Sequence, residues 1–322
     1  MLDILKTAAG QSLFPLLAWI FPSALAVLAV WFITLPMLDA AGYPVPAAVS
    51  GLTGAAAISW LAGVSIASGA VLNVMSTPLY RLLEGYSWPK WLRQRAVDWQ
   101  KRKYRTLRAT VDAGISGQEW ETGLAWERLA RYPSNIDQIA PTGFANALRS
   151  FETYGVSRYN LDSQIMWTEL WSVVPDQTRT EYEGAKVFVD LFVATFYLSL
   201  AFSLASLIIV FIDCEHRLLD TIAVVAPLVI AVYCYRMANV ASTSWSATVQ
   251  AMVNIGRKPL ADALGLALPA TLAEEREMWE AIVGYVFYGP ADGASFRDRI
   301  DRFRAEPSVP KDGCAKPDAP AR

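Results

Sequence analysis

Histidine occurs once in 322 residues, cysteine three times, and charged residues make up only 18% of the chain, against about 25% in an ordinary soluble domain. Each scarcity excludes a class of protein. With His216 alone, set in a short polar connection, no histidine-activated nucleophile or zinc site can be assembled. Cys214, Cys234 and Cys314 lie in three separate segments with no CxxC pair, so neither a disulfide framework nor a thiolate metal site is encoded. Walker, GxGxxG and GxSxG motifs are absent, and Thr142-Gly143 and Gly293 stand isolated. No nucleophile and base pair can be named, so the expectation is a non-enzymatic protein without cofactor or metal.

What the chain has instead is apolar length: 54% hydrophobic residues and a mean hydropathy of +0.27. About 20 apolar residues cross the hydrocarbon core of a bilayer, and four runs reach that length. Residues 13–38 carry no charge, and Pro15, Pro22 and Pro36 predict a kink. This run is too long for the core of a cleaved signal peptide and is expected to be a retained helix. Residues 45–75 form a second uncharged run rich in small side chains. Gly51 and Ala55, Gly63 and Ala67, and Ser65 and Gly69 are each four apart, the spacing that lets helices approach closely in lipid. Packing inside the protein's own bundle is favoured over a dimer seam. Residues 187–212 hold one acid, Asp190, near the first turn, and residues 218–235 hold Asp220 and Pro227.

Orientation follows from the flanking charge. Residues 81–108 contain nine bases against two acids, a balance of +7, whereas the connections at 39–44 and 213–217 are short and nearly free of base. The positive-inside rule therefore places the middle segment and both termini in the cytoplasm. The fold class expected is an all-α integral membrane protein with four transmembrane helices and a cytosolic helical domain between spans 2 and 3. Its parts are a first transmembrane hairpin (1–80), the cytosolic helical domain with a basic juxtamembrane helix (81–186), a second hairpin with its exit helix (187–258), a C-terminal cytosolic helical segment (259–304) and a disordered tail (305–322).

Within the middle segment, residues 88–107 interleave tryptophan with base. Arg93, Arg95, Lys101, Arg102, Lys103 and Arg105 around Trp88, Leu92, Ala96 and Trp99 suit a helix lying on an anionic inner leaflet. Nucleic acid is not expected, because the juxtamembrane position already accounts for the charge. From 109 to 186 the sign reverses, with eleven acids against six bases. Trp120 to Leu129 predicts a helix ended by Tyr132-Pro133-Ser134, and helices over 141–154 and 159–173 are expected to join at Gly155. Residues 176–212 contain no proline and predict one continuous helix of about 55 Å. Thr271 and Glu274 form a capping box for a helix over 272–288, and 259–268 is expected to turn.

The stretch from Pro141, with Thr142, Asn146, Leu148, Arg149 and Glu152, then Arg158, Tyr159, Leu161 and Asp162, then Trp167 and Leu170, resembles a segment of an uncharacterised group of bacterial multi-span membrane proteins. There the pattern is PTxxGNxLRxxE, RYxLD and WxxL, with Ala145 here in place of glycine. Leu83-Glu84-Gly85-Tyr86 and Glu274-Glu275-Arg276 with Trp279 are similar too. The resemblance implies a bacterial inner-membrane protein and no particular activity. From the residues themselves, Asn146, Arg149, Glu152, Arg158 and Asp162 are candidates for an ion-pair and hydrogen-bond cluster across two helices, fixing the hairpin or binding a partner. Asp190 is a candidate intramembrane acid, with Lys186 four residues earlier as its expected partner. The functional expectation is an oligomeric interaction or effector component, with a pore as its sharper form, membrane lipid and a cytosolic protein as partners, and a small-solute or ion carrier as the alternative.

Overall fold

Apolar runs can satisfy their backbone in lipid only as helices or closed barrels, and the described apolar runs take the helical route. The computed structural model describes residues 13–304 apart from 41, 44–48, 50, 115–118, 213–216 and 293. Its helices are α1 Leu13–Ala29, α2 Leu35–Ala40, α3 Gly54–Val74, α4 Ser76–Glu84, α5 Lys90–Ala113, α6 Glu119–Leu129, α7 Gly143–Glu152, α8 Tyr154–Tyr159, α9 Trp167–Val173, α10 Asp176–Ile212, α11 Arg217–Ala263, α12 Leu272–Asp292 and α13 Ala294–Asp301. Among the described residues, four stretches are long and apolar enough to cross a membrane: Ala18–Asp39, Gly54–Val74, Asp176–Val210 and Thr221–Ala263. The protein is thus all-α, with four candidate spans and a helical region between spans 2 and 3.

Span 1 absorbs its prolines without stopping. A wide π turn, Val30–Thr34, sits between α1 and α2, just ahead of Pro36, where the missing amide breaks the regular ladder. Span 2 starts later than its sequence predicts. Thr53 is extended and the helix opens at Gly54, so Gly51 lies in the preceding turn and its pairing with Ala55 on one helix face is corrected. Span 3 belongs to α10, unbroken over 37 residues as expected from the absence of proline. Span 4 belongs to α11, 47 residues long, which runs through Pro227 and Pro259 to Ala263 where a turn over 259–268 was expected.

Helices α10 and α11 form the most extensive helix pair among the described residues, with α1 packed on α10 and α3 on α1. Only Ser65 and Gly69 of α3 are buried in its span. A Cβ on Gly69 would approach the Ile20 backbone to 2.7 Å, whereas one on Gly63 would meet nothing within 4 Å. The small-residue spacing therefore packs the bundle at Ser65 and Gly69, while Gly63, Ala55 and Ala67 face outward.

The intervening region is welded to the spans by a shared core. Phe144, Leu148 and Phe151 of α7 pack with Val189 and Val193 of α10 and with Trp245 and Val249 of α11. A second core joins Leu161, Met166 and Leu170 to Met252, Val253 and Leu260 of α11 and to Met278, Trp279 and Ile282 of α12. Each such fully buried side chain contributes about 1.5–3 kcal/mol. The expected helix over 159–173 is shorter. Asn160 is left-handed at φ 58°, and the Asp162 carboxylate accepts from the Gln164 and Ile165 amides, so the chain turns before α9 opens at Trp167. Nor is Gly155 a joint: it is inside α8, where a Cβ would come within 2.4 Å of the Leu161 carbonyl oxygen. The tail 305–322 and the connection holding Cys214 and His216 lie outside the described residues.

Candidate functional site

Helix α4 leaves span 2 and ends at Gly85, whose φ of 87° only glycine adopts without strain. The Gly85 and Tyr86 amides donate to the Leu82 and Arg81 carbonyls at 3.1 and 3.0 Å, and this turn delivers Tyr86 to α7. Opposite it, Thr142 caps α7 by accepting from the Ala145 amide at 3.0 Å. Asn146, fully buried, is bonded to the Ala140 amide, the Ala140 carbonyl and the Thr142 carbonyl at 2.7, 3.0 and 2.8 Å. That network fixes the start of α7 and so aims Arg149 outward.

Arg149 donates to the Tyr86 hydroxyl at 2.7 Å and the Gln138 carbonyl at 3.3 Å, and its guanidinium lies 5.6 Å from the Tyr86 ring centre. The pair stands where two cavities meet. One, of about 520 Å³, takes in Arg93, Asp98, Pro141 and Arg149; the other, of about 770 Å³, takes in Arg81, Glu152, Gln164 and Lys186; Glu84 and Tyr86 line both. Burial, reinforced by the charge of Glu152, pushes the Glu84 carboxyl up to about 7 against the pull of Arg149 and Arg81. Burial raises Glu152 as well, with Arg149 opposing. Two carboxyls thus share a half-buried cleft in which neither forms an ion pair within 4 Å among the described residues. Such a cleft can hold a proton or a cationic group near neutral pH.

Beside it, where α4 meets α10, Asp190 is 1% exposed and accepts from Lys186 Nζ and from the Tyr80 hydroxyl, both at 2.7 Å. The expected Lys186 partnership is present, and Tyr80 adds a bond from another helix. A third charged group, toward the C-terminus, is closed. Arg257 Nη1 contacts both Glu275 oxygens at 2.7 and 2.6 Å, stacks 4.2 Å over the Tyr159 ring, and Trp279 Nε1 donates to Glu275 at 3.2 Å.

The structure divides the five-residue cluster expected from Asn146 to Asp162. Arg149 and Glu152 reach the cleft, Asn146 and Asp162 bond local backbone, and Arg158 is exposed, so no ion pair links the five. The reason is the turn at Asn160, which carries Asp162 away from α7. Of the basic positions on α5, Arg95, Arg102, Lys103 and Arg105 are exposed, while Lys101 turns inward to Asp137 at 3.6 Å and Arg93 lines the smaller cavity. Arg95 lies over Trp91 and Lys103 over Trp99. Sequence reasoning passed over Glu84, Tyr86 and Arg81 as site residues. Their signal was the Leu83-Glu84-Gly85-Tyr86 string directly after a span, where a lone acid precedes a glycine stop.

Fold and spans together define a multi-pass, all-α membrane protein. No protein-family model, curated protein or solved structure matches the chain. Among the described residues there is no group of three or more histidine, cysteine or acidic side chains that could hold a metal ion.

Proposed function

We propose that the protein is a non-enzymatic effector of a bacterial inner membrane, with both termini and the region between spans 2 and 3 in the cytoplasm. The region receives a partner or signal and transmits it to the spans, and the chain works as an oligomer whose sharper form is a pore. One observation carries this reading: α10 and α11 run without interruption from the intervening region through the candidate spans, and α7 shares their core. The exposed Trp91, Arg95, Trp99 and Arg102 side of α5 is the face offered to the anionic leaflet. Positive-inside charge balance supports the orientation. A carrier function is less favoured because Asp190, the acid it would use, is already bonded to Lys186 and Tyr80.

The test is ion and small-dye flux through liposomes containing the purified chain, with the oligomeric mass determined on the same sample. Flux from an oligomer supports a pore. A stable monomer without flux refutes the oligomeric pore, and substrate-dependent uptake would replace it with a carrier.

A further inference from the structure

A separate cleft of about 350 Å³ opens between α5, α6 and the part of α11 that follows the apolar stretch of span 4. Four cations line it, Lys103, Arg128, Arg131 and Arg236, and no carboxylate does. Arg131 donates to Glu127 at 2.7 Å but keeps its Nε buried without an acceptor. Arg128 and Arg236 have no hydrogen-bond or ion-pair partner among the described residues. Like charges brought to one cleft from three helices, two of them without a partner, repel each other, and an anion relieves that repulsion. Gly143, the first residue of the ten-residue helix α7, lines the same cleft, and a helix N-terminus adds partial positive charge. Even a methyl group at Gly143 would come within 3.2 Å of Asn239 Oδ1. Arg236 is the first charged residue after the uncharged stretch 221–235, which sets the cleft at headgroup depth, where basic pockets between spans take phosphate-bearing lipids.

We infer that this cleft binds a phosphate group, as an anionic phospholipid headgroup or as a soluble phosphate ester. The site differs from the Glu84 and Glu152 cleft and rests only on the membrane reading, not on flux. The full chain in nanodiscs of phosphatidylcholine is titrated with short-chain phosphatidylglycerol and, separately, with glycerol 3-phosphate. Arg128→Gln together with Arg236→Gln is expected to weaken binding on the order of 30-fold, from about fivefold per cation removed. Arg108→Gln, on α5 like Lys103 but outside the cleft and ion-paired with Asp112, changes it by less than about twofold. Binding of the lipid alone identifies a headgroup site; equal binding of glycerol 3-phosphate identifies a soluble ester. No binding of either probe to the wild-type chain overturns the proposal. So does a double variant that folds, by its unchanged thermal unfolding, and still binds as the wild type, or a loss as large in Arg108→Gln, which would reduce the effect to overall charge.

Discussion

Two buried carboxylate groups on this protein meet opposite fates. Glu275 is buried and bonded by Arg257, itself stacked on the Tyr159 ring, and by Trp279, and it staples α12 onto α11. Glu84 and Glu152 share a cleft with Arg81, Lys186 and Arg149 nearby, yet neither is paired, and both are held above the ordinary carboxylate range. A buried charge that is paired and hydrogen-bonded holds helices in place, whereas one left without a pair keeps the capacity to take a proton or a ligand.

Removing the staple is the strongest way to probe that contrast. Glu275→Ala strands Arg257 and is expected to cost about 3–5 kcal/mol, read as a lowered thermal midpoint and new proteolytic cleavage between α11 and α12. Glu84→Gln is expected to leave the midpoint at neutral pH equal or higher; a comparable loss there would erase the distinction between the two groups. Next in size, Gly69→Ala forces α3 away from Ile20 and is expected to cost about 1–3 kcal/mol, while Gly63→Ala stays within about 0.5 kcal/mol. Parallel unfolding of the two variants in detergent decides whether Ser65 and Gly69 are the packed face. Asp190→Asn removes the Lys186 ion pair but keeps an acceptor for Tyr80, an expected loss of about 1–3 kcal/mol with flux unchanged; abolished flux with an intact fold would return Asp190 to the carrier reading.

The smallest effect is the pH dependence of the open group. Between about 4.5 and about 7 the folded Glu84 retains a proton that the unfolded chain has released. The folded state binds more protons there, so this group's contribution to stability declines as pH rises through that window and then levels off. Glu84→Gln is expected to flatten that slope in unfolding scans run from pH 4.5 to 7.5, and Glu152→Gln to shift it toward lower pH by removing the neighbouring charge.

How much of this was legible depended on whether the controlling interaction was local. The unbroken α10 could be read because no proline interrupts it and its long apolar half can satisfy its backbone in lipid as a helix. Half of the capping box expected at Thr271 and Glu274 forms: the Glu274 amide donates to Thr271 Oγ1 at 3.3 Å, while the Glu274 carboxylate accepts from the Thr271 hydroxyl at 2.7 Å instead of from its amide. The expected helix over 159–173 failed because Asn160 and Asp162 both favour turns, a signal outweighed in the sequence by the apolar spacing of Leu161, Ile165 and the two tryptophans. Span 4 and its continuation read as two pieces because Arg236 ended the uncharged run, although charge is no barrier to a helix. The cleft was the least legible part. Its residues come chiefly from α4, α7, α10 and α11, up to 169 positions apart from Ser76 to Trp245, and only tertiary packing gathers them.

The two long helices also make the molecule a pair of lever arms. At 1.5 Å per residue α10 measures about 55 Å and α11 about 70 Å, well beyond the roughly 30 Å of a hydrocarbon core. A tilt of about 5° pivoted at one end of α10 displaces the other by about 5 Å, close to one helical pitch. Lys186 of the acid cleft sits on one arm and Arg236 of the basic cleft on the other, so a change in the angle between the arms alters the distance between the two clefts.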